Sequence, residues 1–224
     1  SALSFCQDGD EIIHAEHGFE MYPIISKIVG ATSKTIKENN KFNITVDSIC
    51  NEITVSTKLI FLANPNNPTG TYLNRSAILE LMEKIPKHII VVLDGAYAEY
   101  VMQKDFDKGF SLADQFDNII LTRTFSKVYG LAGLRIGWCY SSKKVCDILN
   151  KVKGPFNTSF IAQNLAIEAL KDQDYINKII KLNMEVKSWF EIELKKLNIP
   201  VYPSEGNFTF IETTEKKSEE ITKQ

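Results

Sequence analysis

The chain reads as an α/β protein: a mostly parallel sheet with helices on both faces, followed by part of a small α+β domain. Three observations predict this. Four short β-branched runs, "EIIHA", "KLIFLA", "IIVVLD" and "NIILTR", lack polar alternation, as strands buried on both faces do. Segments of helical period separate them, which is the alternation that builds a doubly wound layer. From Ser159 to Asn198 the character changes, with helical spacing and no Gly or Pro.

Taken in order, "SALSFC" is the end of a helix, Asp8-Gly9-Asp10 a turn, and residues 11–15 the first strand. Further strands are predicted at 58–63, 89–94 and 118–123. The segment 74–86 is a helix with Asn74 as N-cap, Ile78, Leu79, Leu81, Met82 and Ile85 on one side, and Pro86 as its stop. Another helix covers part of 142–152. In the Gly- and Pro-free stretch, Ile179, Leu182, Val186, Phe190 and Leu194 recur at helical spacing. This predicts two helices, or one bent helix, broken near Asp172-Gln173-Asp174. "PVYP" and "NFTFIE" are two short strands around a turn at Ser204-Glu205-Gly206. The polar tail "IETTEKKSEEITKQ" reads as the start of another helix. Both ends read as cut from a longer chain, so residues 1–170 form a large domain incomplete at its N-terminus and 171–224 the start of a small, truncated one.

Composition narrows the function classes. The 224 residues are 44% hydrophobic and 24% charged with a formal net charge of -2, an ordinary globular balance. That charge gives no electrostatic case for nucleic acid or an anionic membrane. The apolar runs are too short to span a bilayer, and no basic segment with an apolar stretch behind it opens the chain as a secretion signal. Cys6, Cys50, Cys139 and Cys146 are widely spaced without a metal-ligand pattern and read as reduced, mostly buried thiols of an intracellular protein. His14, His17 and His88 form no ligand set. No zinc motif, P-loop or serine elbow is present, and Gly130, Gly133 and Gly137 do not match a dinucleotide-binding turn.

Open parallel sheets place their ligands beyond the carboxyl ends of the strands. Three polar motifs stand there: "NPNNPTG" at 64–70, "GAYAEY" after Asp94, and "TFSK" ending at Lys127. A lone lysine is most simply a surface charge. Flanked by Thr124 and Ser126, with Arg135 following, Lys127 also suits a covalent Schiff base with a phosphorylated aldehyde such as pyridoxal phosphate. The hydroxyls and the guanidinium would take the phosphate. Asp94, costly at the end of an apolar strand without a cation, would pair with a protonated ring nitrogen, or else cap the next helix. Tyr97 would donate to a ring oxygen, or be a half-buried aromatic with its hydroxyl in solvent. The Asn-Pro loop is a turn whose stiffness also aims Asn67 at a ring oxygen. Phe19, in "HGFEMY", would stack on a planar cofactor or sit in the core.

These motifs, in this order, resemble the aspartate-aminotransferase-fold enzymes that use pyridoxal phosphate. "NPNNPTG", "RTFSKVYGLAGLRIGW" and "FEMY" are closest to the wording of the histidinol-phosphate aminotransferase subgroup. The resemblance implies a ping-pong transaminase of amino-acid biosynthesis: glutamate as amino donor, a phosphorylated keto or amino substrate, and a cytoplasmic homodimer. It assigns Lys127 as covalent anchor and acid/base, and Asp94 to the ring nitrogen. Asn67 and Tyr97 go to the ring oxygen, and Thr124, Ser126 and Arg135 to the phosphate. Phe19 takes the stacking position, often Tyr or Trp, and Asn207 falls in a substrate-side loop. Other enzymes of this fold, aromatic or aspartate aminotransferases and phosphothreonine decarboxylases, share the motifs, as do non-catalytic regulators. The family's phosphate-binding turn at a helix N-terminus would lie before Ser1. Its tyrosine reaching the partner subunit and its arginine for the donor carboxylate also fall outside these residues, so the chain is expected to be a piece of such an enzyme.

Overall fold

The computed structural model describes residues 1–213. Six strands form one sheet: β1 (Glu11–Ala15), β2 (Thr32–Ile36), β3 (Thr57–Ala63), β4 (Ile90–Asp94), β5 (Ile119–Thr124) and β6 (Gly137–Ser141), in the order β2-β1-β3-β4-β5-β6. All neighbours run parallel except β5 and β6. The four apolar runs are the four inner strands. The two edge strands escape sequence reading for a physical reason. "TSKTI" and "GWCYS" are partly solvated and lack the continuous apolar character of buried strands.

Strand periodicity of two sends alternate residues to opposite faces. One face carries Ile13, Ile60, Leu62, Val91, Leu93, Ile119 and Leu121, covered by α3 (Val46–Cys50), α4 (Arg75–Lys84) and α5 (Phe110–Gln115). The other carries Ile12, Leu59, Phe61, Ile90, Val92 and Ile120, covered by α1 (Ala2–Phe5), α2 (Met21–Ile28) and α6 (Lys143–Val152). Helix boundaries follow their caps. Asn74 accepts the Ala77 N–H at 2.9 Å to start α4, and the helix ends at Lys84, before Pro86. In α2, Pro23 sits in the first turn, where no intrahelical bond is lost, and Gly30 with φ +75 ends the helix.

Beyond the sheet, α7 (Phe160–Lys171) and α8 (Gln173–Lys196) are two separate helices. Asp172 divides them and caps the second through the Tyr175 N–H at 3.0 Å. A two-stranded antiparallel sheet follows, β7 (Val201–Tyr202) with β8 (Phe210–Ile211). Of the predicted tail helix, Ile211 belongs to β8, Glu212 and Thr213 are irregular, and 214–224 lie outside the described residues. The cysteines correct the expectation of mostly buried thiols. All four are free, but three are half-buried and Cys139 is exposed, because β6 is an edge strand with its faces largely open.

His14 on β1 is 3% exposed, with its Nδ1–H donating to the Ala15 carbonyl at 2.8 Å and Nε2 lying 2.7 Å from the Ser33 hydroxyl. Burial pushes its pKa below the ordinary imidazole value, only partly offset by the Ala15 carbonyl. The folded state therefore holds His14 neutral while the unfolded chain protonates near its usual value of about 6.5. This stability contribution is full above that pH and is lost as pH falls toward the folded pKa. Thermal melts of the full-length protein between pH 7 and 5 are expected to show a smaller loss of Tm for His14→Gln than for the wild type. Equal slopes would contradict a neutral buried imidazole.

Candidate active site

The parallel register brings the polar motifs together. Ala63 lies opposite Asp94, and Asp94 opposite Thr122, so β3, β4 and β5 end at one edge of the sheet. The loop 64–70, the turn after Asp94 and the segment 124–127 are therefore neighbours, although far apart in sequence. Alternation then selects a face: Asp94 follows Ile90 and Val92 on the side that α2 covers.

At that edge the structure forms a cavity of about 270 Å³. Phe19, Asn67, Asp94, Tyr97, Thr124, Ser126, Lys127 and Arg135, all singled out from sequence, line it. So do Tyr22, Ala63, Pro65 and Ala96, which were not. Asp94 has donors on both carboxylate oxygens. The Tyr22 hydroxyl donates to Oδ2 at 3.0 Å, while the Ala96 N–H and Thr122 hydroxyl reach Oδ1 at 3.2 and 3.3 Å. Capping of the following turn, the plainer reading of this aspartate, is thus part of its role through Ala96. Tyr22 lies flat on Phe61, ring centroids 4.6 Å apart. Burial first, then the Asp94 charge and hydrogen bond, push the Tyr22 phenol well above its ordinary range, so it stays a hydrogen donor.

Tyr97 is buried, not half solvated. Phe208 meets its ring edge-on at 4.9 Å, and Lys127 Nζ lies 5.1 Å from the ring centroid. Lys127 itself is exposed to the cavity mouth, and among the described residues no carboxylate forms an ion pair with it. The Thr124 hydroxyl accepts the Ser126 N–H at 3.0 Å, which curls the chain so that both hydroxyl residues border the cavity. Arg135 follows a short 3-10 turn, Ala132–Leu134, and adopts a left-handed backbone with φ 49 while Nη1 donates to the Ala132 carbonyl at 2.8 Å. Phe19 is 40% exposed and edge-on to Tyr22 at 5.7 Å, so it is no core residue. Asn67 is half-buried in a loop where both Asn64-Pro65 and Asn67-Pro68 are cis.

Buried braces hold these loops. Arg123 on β5 is 3% exposed in its side chain, pairs with Glu99 at 3.5 Å and donates to the Thr122 and Lys108 carbonyls. Its guanidinium lies where a side chain on Gly95 would be, so any larger residue there would push Arg123 away from Glu99 and the two carbonyls. Burial pushes the Glu99 carboxyl up and the Arg123 cation pulls it back, and the guanidinium keeps its charge. On the other side, Gly70 with φ +74 packs against Ser204, and its carbonyl accepts the Glu205 N–H at 2.9 Å. Beyond the same turn, Phe208 meets the Tyr97 ring edge-on. The second sheet and the Asn67 loop are thus tied together. Sequence reasoning missed Tyr22, Arg123 and Glu99; only the short step from Phe19 to Tyr22, at the entry to α2, hinted at the first.

An accessible amine, two hydroxyls and a guanidinium, a carboxylate with fixed donors, and aromatic rings can together hold a planar anion bearing a carbonyl. No group of three or more His, Cys, Asp or Glu among the described residues could hold a metal ion. No helix among them is long and apolar enough to cross a membrane.

Known proteins share this sequence pattern and fold. The family model for aminotransferase class I and II matches residues 1–224. The chain is 42% identical over 207 residues to the histidinol-phosphate aminotransferase of Ruegeria pomeroyi, covering 92% of this chain and 56% of that protein. It is also 42% identical over 207 residues to that of Pelagibacter ubique, covering 92% and 57%. The crystal structure of histidinol-phosphate aminotransferase from Sinorhizobium meliloti in complex with pyridoxal-5'-phosphate superposes with a TM-score of 0.90 at 25% identity, over 97% of this chain and 59% of that one. The chain thus spans about half the length of the relatives it matches.

Proposed function

Because the chain belongs to the class I and II aminotransferase family, we propose that the protein is a pyridoxal-phosphate-dependent histidinol-phosphate aminotransferase of histidine biosynthesis. It converts histidinol phosphate and 2-oxoglutarate to imidazole-acetol phosphate and glutamate. One observation carries this reading: an exposed lysine shares a single cavity with a donor-held carboxylate and an arginine at the sheet's carboxyl edge. The identity to named histidinol-phosphate aminotransferases supports the choice of substrate.

The residues present fit the group. Asp94, oriented by hydrogen-bond donors on both oxygens, is placed to accept a ring N–H. Asn67 and Tyr97 serve the ring oxygen, Phe19 a ring face, and Thr124, Ser126 and Arg135 the phosphate. When bound, pyridoxal phosphate supplies a conjugated ring that accepts the electron pair left at the substrate Cα. Lys127 Nζ would anchor the group at its carbonyl carbon, with the carbonyl oxygen leaving as water, and would carry the proton taken from the substrate Cα. Asp94 would hold the ring N–H. Arg135 and the two hydroxyls fix position, which lowers the entropic barrier. Phe19 and Tyr22 keep water from one side of the cavity.

The same reading makes the protein a cytoplasmic homodimer whose partners are small molecules, glutamate and a phosphorylated substrate, without nucleic acid or membrane. Its large domain ends near residue 170. Residues 171–224 begin the small domain, a division supported by the start of α8 at Gln173. Single-turnover half-reactions of the full-length protein with histidinol phosphate, phenylalanine and aspartate test the substrate. Histidinol phosphate is expected to react fastest; an equal or faster rate with either of the others overturns the assignment.

A further inference from the structure

We infer that Tyr22 is a positioning residue that sets the protonation of the cofactor ring through Asp94; this rests on the function proposed above. The phenol is 5% exposed and donates to Asp94 Oδ2 across 72 sequence positions at 3.0 Å. It cannot swing away. Phe61 stacks on one side of the ring with planes 5° apart, and Phe19 meets it edge-on. Burial, then the Asp94 charge and hydrogen bond, also favour the protonated phenol, which donates to the carboxylate.

The geometry decides what this bond does. Asp94 Oδ1 is held by the Ala96 N–H and the Thr122 hydroxyl at 3.2 and 3.3 Å, both long contacts. The Tyr22 bond is the shortest of the three and the sole one on Oδ2 among the described residues. Without it only the two longer bonds on Oδ1 restrain rotation of the carboxylate about its Cβ–Cγ bond. A rotated carboxylate pairs less well with a ring N–H, and the ring proton is held more loosely. Less charge on the ring nitrogen withdraws less electron density from the lysine-bound carbon. The group formed there becomes more basic.

Tyr22→Phe keeps the stacked ring and removes only the hydroxyl. In the full-length protein loaded with pyridoxal phosphate, its visible absorbance band is expected to titrate at a higher pH than in the wild type. The cofactor dissociation constant is expected to rise about tenfold, the loss of one hydrogen bond to a charged group. Thermal stability of the cofactor-free protein is expected to change little. In an Asp94→Asn background the same replacement is expected to leave the band midpoint unmoved, since the two residues act as one unit. An unchanged midpoint in the single variant overturns the inference, and so does an equal shift in the Asp94→Asn background. A wild-type protein with no visible band overturns the functional reading itself.

Discussion

Replacing Lys127 with alanine in the full-length protein is expected to abolish the borohydride-fixed pyridoxal phosphate adduct and to lower turnover by ~10⁴-fold or more, the upper range for removing a general acid/base. The argument is geometric. Lys127 is the amine at the mouth of a cavity that also holds Asp94 and Arg135. Its Nζ rests 5.1 Å from the Tyr97 ring centroid without a carboxylate partner among the described residues. The side chain is exposed, so its loss should not disturb the core, and the variant is expected to melt within a few degrees of the wild type. Mass mapping of the reduced adduct checks the assignment directly. An adduct at another lysine, or one that persists in the alanine variant, removes Lys127 from the mechanism.

Asp94→Asn is expected to retain cofactor but to slow removal of the Cα proton by about 10²- to 10³-fold, the usual scale for one preorganised charged group. Asparagine keeps the shape, and its amide oxygen still accepts from Tyr22. What it cannot do is carry the negative charge proposed to hold a proton on the ring nitrogen. A larger isotope effect with Cα-deuterated substrate locates the loss at that proton. Turnover equal to the wild type would refute the role. The two substitutions separate the functions proposed for the cavity, since one removes the proposed covalent anchor and the other leaves it in place.

Much of this arrangement is legible in the chain because parallel-sheet proteins punctuate plainly. The four inner strands are apolar on both faces, and each of three ends in polar residues that can only be a loop. The eight residues expected at a site line one cavity because strand ends in such a sheet share an edge. What stays hidden depends on tertiary contact. Tyr22 looks like another apolar position of α2 until the fold carries Asp94 to it. Arg123 sits at the end of a run that reads as buried, and only the fold shows the Glu99 carboxylate and the open space over Gly95 that accommodate its cation. The edge strands β2 and β6 are stabilised by pairing and not by burial, so their composition resembles loop. Cys139 was misjudged for the same reason.

The left-handed backbone at Arg135 has a consequence of its own. A residue with a Cβ at φ 49 carries conformational strain of about 1–2 kcal/mol that glycine would not. Arg135→Gly is therefore expected to relax the backbone while deleting the guanidinium: the protein should lose affinity for a phosphorylated ligand without a matching loss of melting temperature. The position thus combines a backbone that favours glycine with a charge that glycine cannot supply.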